Sequence, residues 1–181
     1  MENAQTHRMP QRLHLHRDYS QRGGFVSRVY LSATIRHSRY ENVYYPLELN
    51  AVIDSGAESS IIPRKVVRWF EEKNFRLIRG RVGDFRLADG SPRSNVPGYE
   101  VEFILSSPRE TDGQRGRVRF DTATVERGEA PPCCFAFDMY EGSEQIILGM
   151  DLLRFWRIVL DGEGNDFSVV IPEKRNRMLK P

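Results

Sequence analysis

Alternation of apolar and polar positions dominates the chain from Phe25 onward. Val26, Arg28, Tyr30 and Ser32 interleave with Ser27, Val29, Leu31 and Ala33, which predicts a strand running to Ile35. Residues 36–42 are polar and predict a turn. A second strand is expected from Val43 to Ile53, with Leu47, Leu49, Ala51 and Ile53 on one face, and the two runs form a hairpin. A polar loop, residues 54–60, leads to Ile61-Ile62-Pro63. Residues 64–73 have the helical spacing: Val66, Val67 and Phe70 fall at i, i+1 and i+4 among Arg, Lys and Glu, with Pro63 at the first turn.

Downstream, Phe85-Arg86-Leu87 meets Ala88-Asp89-Gly90-Ser91-Pro92, a strong turn signal. A long strand is expected through Val96, Gly98, Val101, Phe103 and Leu105, then a polar loop over 106–116. Val118, Phe120 and Val125 begin another strand region, and Phe135-Ala136-Phe137 follows Pro131-Pro132-Cys133-Cys134. Ile146-Ile147-Leu148 reads as a short buried strand ending at Gly149, and Met150 to Trp156 as a short helix with Asp151 near its positive N-terminal end. Arg157–Leu160 and Phe167–Ile171 bracket Asp161-Gly162-Glu163-Gly164-Asn165 as a terminal hairpin. Many short strands, one moderate helix and one short helix make a mainly β fold, a small closed or half-closed barrel. No internal repeat is present.

Residues 1–24 lack sustained periodicity and end in Arg22-Gly23-Gly24, so a flexible basic arm is expected there, an ordered domain over 25–172 and a basic tail over 173–181. Leu13-His14-Leu15-His16 alternates and allows a short strand. His14 and His16 would then share a face, but two ligands without a third or fourth nearby rarely make a metal site.

At 181 residues, 39% of them hydrophobic, the chain suits one packed domain and not global disorder. The net charge of +2 is too balanced for a nucleic-acid binder. It hides an uneven distribution: residues 1–28 and 172–181 are each net basic, and the body between them is slightly acidic. A basic-tailed nucleic-acid protein rests on those modest arms alone. Two adjacent cysteines, Cys133 and Cys134, cannot make a disulfide framework, so a reducing, cytoplasmic setting is expected. No stretch approaches the roughly 18 apolar residues of a membrane helix, and the polar N-terminus lacks the apolar run of a secretory signal. Its Arg-rich, acid-poor start fits a transit peptide, whereas its Gln, His and Ser content does not.

Gly-x-Ser-x-Gly, His-Glu-x-x-His, a phosphate-binding Gly-Lys-Ser/Thr loop and Cys-x-x-Cys are all absent. No cofactor and no metal are expected. A Cys–His nucleophile would need Cys133 or Cys134 beside His37, with nothing local to activate the thiol. The basic–aromatic runs Arg68-Trp69-Phe70 and Arg154-Phe155-Trp156-Arg157 read as amphipathic helix faces rather than stacking platforms for bases.

Val52-Ile53-Asp54-Ser55-Gly56-Ala57 is sharper. An apolar strand delivers one carboxylate into a tight turn, followed by a hydroxyl and two small residues that permit close approach of another chain. Alone, this is also what an ordinary Asx-type turn looks like. Far downstream, Ile146-Ile147-Leu148-Gly149-Met150-Asp151 takes a buried strand through a glycine into a helix, and between the two lies Ala88-Asp89-Gly90-Ser91, placed to tip a hairpin.

In this order the three features resemble the retropepsin-like aspartic protease family: an apolar strand into Asp-Thr/Ser-Gly-Ala, a flap hairpin, then apolar-apolar-Gly before a short helix. The resemblance spans roughly residues 26–171 and is closer to the retrotransposon and cellular branches than to the retroviral one. Ser55 replaces the commoner Thr and keeps the hydroxyl. Met150 stands where retroviral members carry Arg, which removes an ion pair, and Glu58 stands where they often carry Asp. The 106–117 loop is longer than in a minimal retroviral enzyme, which bears on substrate access and specificity.

The resemblance implies a retropepsin-like small closed β-barrel and an aspartic endopeptidase that binds a polypeptide in extended conformation. Asp54, Ser55 and Gly56 would be catalytic. Ser55 would brace the two active-site loops. Gly56 and Glu58 would offer backbone groups to substrate, and Ala57 would keep the subsite narrow. Ala88, Asp89, Gly90 and Ser91 would be the flap, and Val52 and Ile147 would line apolar pockets. One Asp-Ser-Gly per chain implies a homodimer, since Leu160-Asp161-Gly162 is no second copy. The alternative is a retropepsin-like module without proteolysis that binds peptides or mediates dimerisation. Neither reading involves nucleic acid or a membrane.

Overall fold

The computed structural model describes residues 11–19, 26–40, 42–87, 89–108, 120–125, 134–136 and 145–171. These residues are mainly β. In chain order the elements are β1 (Gln11–His14), β2 (His16–Tyr19), β3 (Val26–His37), β4 (Leu49–Ile53), β5 (Ile61–Ile62), α1 (Arg64–Glu72), β6 (Ile78–Arg86), β7 (Pro92–Pro108), β8 (Phe120–Val125), β9 (Cys134–Ala136), β10 (Ile146–Leu148), α2 (Met150–Leu153), β11 (Arg157–Asp161) and β12 (Asp166–Ile171).

The strands form two sheets. A three-stranded sheet runs β1-β12-β11, and a nine-stranded one runs β2-β3-β4-β10-β5-β9-β7-β6, with β8 beside β7. β3 pairs with β4 over Tyr30–Ala33 and with β7 over Ser32–His37, so the larger sheet curls back on itself. Arg36 and Glu102 face each other across that return ladder, with Arg36 Nε donating to Glu102 Oε2 at 2.6 Å. Of the expected closed or half-closed barrel, the described residues show a mainly β sheet that curls back on itself and no closed barrel. Its circuit depends on short pairings around the two-residue β5, which meets β10 through the single pair Ile147↔Ile61. The terminal hairpin leaves it to build the second sheet with β1.

Within the stretch expected as an arm over 1–24, residues 11–19 form strands, the short strand that the alternation at 13–16 allowed. β1 and β2 are strands, and Leu13 and Leu15 are buried at 0% and 6% exposure. The alternation at 13–16 reflects a chain that stitches the two sheets together: β1 pairs with β12, β2 with β3, and Leu15 N–H donates to Phe167 O between them. His14 and His16 therefore lie on different strands. The rest of the expected arm and the 173–181 tail lie outside the described residues, as do Ala88, Cys133 and most of the 106–117 loop.

The strand expected from Val43 begins only at Leu49. Pro46 has no N–H to give a ladder and breaks the run. Before it, Tyr45 N–H reaches Ile35 O and His37 N–H reaches Val43 O, which extends the edge of β3 irregularly. Leu47 is consequently exposed, while Leu49 and Ala51 point into the core. Helix α1 matches its expected span to within a residue and buries Val66, Val67 and Phe70. It ends where Asn74 takes φ +63° and Phe75 N–H returns to Phe70 O. The main core packs Phe70 and Val66 against Leu31, Ile35, Phe103, Leu105, Ile146 and Leu148. Among the described residues no helix is long and apolar enough to cross a membrane.

Candidate active site

β10 lies between β4 and β5. It runs parallel to β4, with Ile146↔Ala51, Ile147↔Val52 and Leu148↔Ile53 opposite each other, and contacts β5 on its other edge. Residues 54–60 must therefore arch over the end of β10 to connect its two neighbours. Asp54 starts that arch, and its N–H donates to Leu148 O at 3.1 Å, one residue beyond the ladder.

The Asp54 turn is fixed at both levels. Gly56 N–H donates to the Asp54 carboxylate at Oδ1, 2.9 Å, and Ala57 N–H donates to the Asp54 carbonyl at 3.2 Å. A Cβ on Gly56 would stand 3.2 Å from Oδ1, so glycine lets the amide and carboxylate meet without crowding. Asp54 is half-buried, while Ser55, Gly56 and Glu58 are exposed.

The downstream motif meets this turn directly. Met150 N–H donates to Ala57 O at 2.8 Å, and Asp151 N–H donates to Glu58 O at 3.1 Å. The Glu58 carbonyl is thus engaged inside the chain. Gly149 N–H donates to Ser60 Oγ at 3.1 Å, and Ser60 gives both its N–H and its hydroxyl to Asp151 Oδ1, at 2.9 and 2.7 Å. α2 is shorter than expected. Phe155 and Trp156 donate to Leu152 and Leu153 in tighter turns before β11 begins.

β6 and β7 form the hairpin whose tip the resemblance assigns to a flap. Leu87 N–H donates to Ser91 O, Gly90 N–H donates to Leu87 O, and Gly90 takes φ +84°. Asp89 Oδ1 accepts from Ser91 N–H at 2.8 Å and from Ser91 Oγ at 2.6 Å. The Ser91 hydroxyl, then its amide, holds the Asp89 carboxyl below the ordinary carboxylate value. Below the tip, Phe85, Leu87 and Val96 pack in one apolar cluster with Val52, Ala57, Ile61 and Ile147. The structure thus brings Val52, Ala57 and Ile147 together with the root of the β6–β7 hairpin. Among the described residues no cluster of three or more His, Cys, Asp or Glu is placed to hold a metal.

Sequence reasoning passed over Ile61, Phe85, Leu87 and Val96 as parts of this cluster, and Ser60 and Asp151 as a pair. For Phe85 and Leu87 a signal was present, two apolar residues two apart immediately before a turn. For Ser60 and Asp151 there was none, because 91 residues separate them. No protein-family model and no curated protein matches the chain.

Proposed function

We propose that the protein is a homodimeric, retropepsin-like aspartic endopeptidase in which each subunit contributes Asp54. The observation that carries this reading is the pairing of a half-buried carboxylate, held in a fixed turn, with a hairpin whose root packs on the strand leading into it. A lone Asx turn requires no such lid.

Two carboxylates about 3 Å apart cannot both ionise, so such a dyad keeps one proton, as aspartic proteases do. The ionised member takes a proton from a water lying between them. That water attacks the scissile carbonyl, and the protonated member hydrogen-bonds the carbonyl oxygen as the tetrahedral intermediate forms. One chain supplies one Asp-Ser-Gly, so the two-fold axis of the dimer would pass between the two Asp54 side chains. An extended peptide would lie beneath the Leu87–Ser91 tip, and closure of the tip would exclude water. Val52, Ala57 and Ile147 favour apolar side chains beside the cleaved bond. Ser55, exposed next to Asp54, is free to brace a partner's loop.

The test is cleavage of an unfolded polypeptide between pH 4 and 7 by the wild type and by Asp54→Asn, with the oligomeric state measured alongside. Cleavage lost in the variant, from a protein that sediments as a dimer, is the expected result. A stable dimer that cleaves at no pH points instead to a peptide-binding or dimerisation module.

A further inference from the structure

We propose that Asp151 is a positioning residue for the Asp54 loop. Acting through Ser60, it clamps the returning limb of residues 54–60 to the corner between β10 and α2, and so sets where the Asp54 carboxylate stands. The consequence for catalysis rests on the protease reading, whereas the clamp itself does not.

The outgoing limb needs no such device. β4 is paired with β10 over residues 51–53, and Asp54 N–H continues that ladder. The returning limb leads into the two-residue β5, which meets β10 through a single residue pair. Ser60, immediately before β5, is fully buried, so its hydroxyl and amide must be satisfied inside the protein. The direction of the hydroxyl bond follows from its neighbours. Gly149 N–H can only donate, so Ser60 Oγ accepts from it and its proton points at Asp151 Oδ1. The same carboxylate oxygen receives the Ser60 amide, which puts two hydrogen bonds of the stronger, charge-assisted kind on one atom. With Ser60 held there, the carbonyls of Ala57 and Glu58 sit opposite the Met150 and Asp151 amides. Residues 54 and 60 are thus tied to one short segment, 148–151, from both ends.

The other carboxylate oxygen, Asp151 Oδ2, is buried and has no hydrogen-bond partner among the described residues. What the clamp uses is therefore one acceptor oxygen. Asn at position 151 keeps that acceptor and exchanges one unpartnered buried polar atom for another. Ala removes the acceptor and leaves both Ser60 donors unsatisfied.

The experiment compares Asp151→Ala, Asp151→Asn, Ser60→Ala and the Asp151→Ala/Ser60→Ala double variant. Each is assayed for kcat and KM on an unfolded polypeptide, and for hydrogen exchange of the Met150 amide against the amides of the β11–β12 ladder. In Asp151→Ala, Met150 exchange should rise about tenfold or more with the ladder unchanged, and kcat should fall by a similar factor with KM within about threefold, as displacement of a reacting group demands. Asp151→Asn should remain close to wild type in both measurements. The double variant should be no worse than the worse single variant, because both remove one unit. Unchanged Met150 exchange in a folded Asp151→Ala protein overturns the proposal, as does an Asp151→Asn loss equal to that of Ala. Should Asp151→Ala not fold, Ser60→Ala carries the same comparison. If the wild type cleaves nothing, the protease reading fails and the exchange measurement still decides the clamp.

Discussion

A Cβ built on Gly149 would lie 2.6 Å from the carbonyl carbon of Ser59. It would also meet the carbonyl oxygens of Ser59 and Ala57 at 2.7 and 2.8 Å. These are backbone atoms of the Asp54 loop, held by the Ser60 and Met150 hydrogen bonds, and they cannot swing aside as a flexible side chain would. Gly149 has φ −95°, so its backbone conformation suits any residue and the requirement for glycine is one of space. Gly149→Ala is therefore expected to destabilise the fold by about 1–3 kcal/mol, the usual cost of overpacking. A fall in the urea midpoint at unchanged slope is the check. An alanine variant as stable as the wild type would show that the loop does not press on this glycine.

Leu13 is fully buried in the main core although it lies in the N-terminal region. It sits on β1, opposite Val169, beside an ion pair between Arg12 and Asp166. Leu13→Ala should cost about 2–5 kcal/mol, as for other buried leucines truncated in a packed site. Arg12→Ala should cost much less, because its pair with Asp166 is partly open to solvent and screened by it. Urea denaturation of both variants distinguishes a structural β1 from a dispensable one.

How much of this was legible depended on whether the signal was local. The helix at 64–72 could be read because Val66, Val67 and Phe70 declare their own face. Asp54-Ser55-Gly56 could be read because the turn is closed by residues two and three apart. β6 was missed except at its end: Arg79-Gly80-Arg81-Val82-Gly83-Asp84 neither alternates nor is apolar, and its strand character comes from pairing with β7 across two irregularities in register. The burial of Leu13 was hidden for a related reason. Four residues of alternation flanked by arginines read as an arm until β12, more than 150 residues away, supplies the partner. The insertion of β10 between β4 and β5, which builds the Asp54 arch, is likewise a matter of long-range pairing that no window of sequence contains.

The pH response of stability should come in two separate steps. Burial lowers the pKa of His16 below its ordinary 6.5, with the Glu48 charge opposing in part. As the pH falls through 6.5, the unfolded chain takes up this proton before the folded one does. Stability contributed by neutral His16 is thus complete above that value and declines beneath it. Asp166 shifts the opposite way relative to its charge, because Arg12 first and Ser168 second hold its carboxyl below the ordinary 3.8. Its contribution is present above 3.8 and is lost only as the pH drops further, through the lowered folded value. Urea midpoints between pH 8 and 3 should therefore fall first in a step that His16→Gln removes, and then in a more acidic step that Asp166→Asn reduces, since Asp89 contributes to the same range. A wild-type midpoint flat from pH 7 to 5 would contradict the first assignment.

On the protease reading, the tip of the β6–β7 hairpin should matter for turnover and little for stability. Asp89 is exposed, and its carboxylate serves the turn by accepting two hydrogen bonds from Ser91 across Gly90. Removing them with Asp89→Ala takes nothing from the core, so the urea midpoint should stay close to that of the wild type. The same change frees the Leu87–Ser91 tip to sample other conformations, and closure over a bound peptide must then select the competent one. A tip that is competent only a tenth of the time costs about 1.4 kcal/mol, equivalent to about a tenfold loss in kcat/KM. Asp89→Asn keeps an acceptor oxygen for Ser91 and should recover most of that loss. Full activity in Asp89→Ala, measured on the same unfolded polypeptide, would mean that the ordered tip has no part in closing the site.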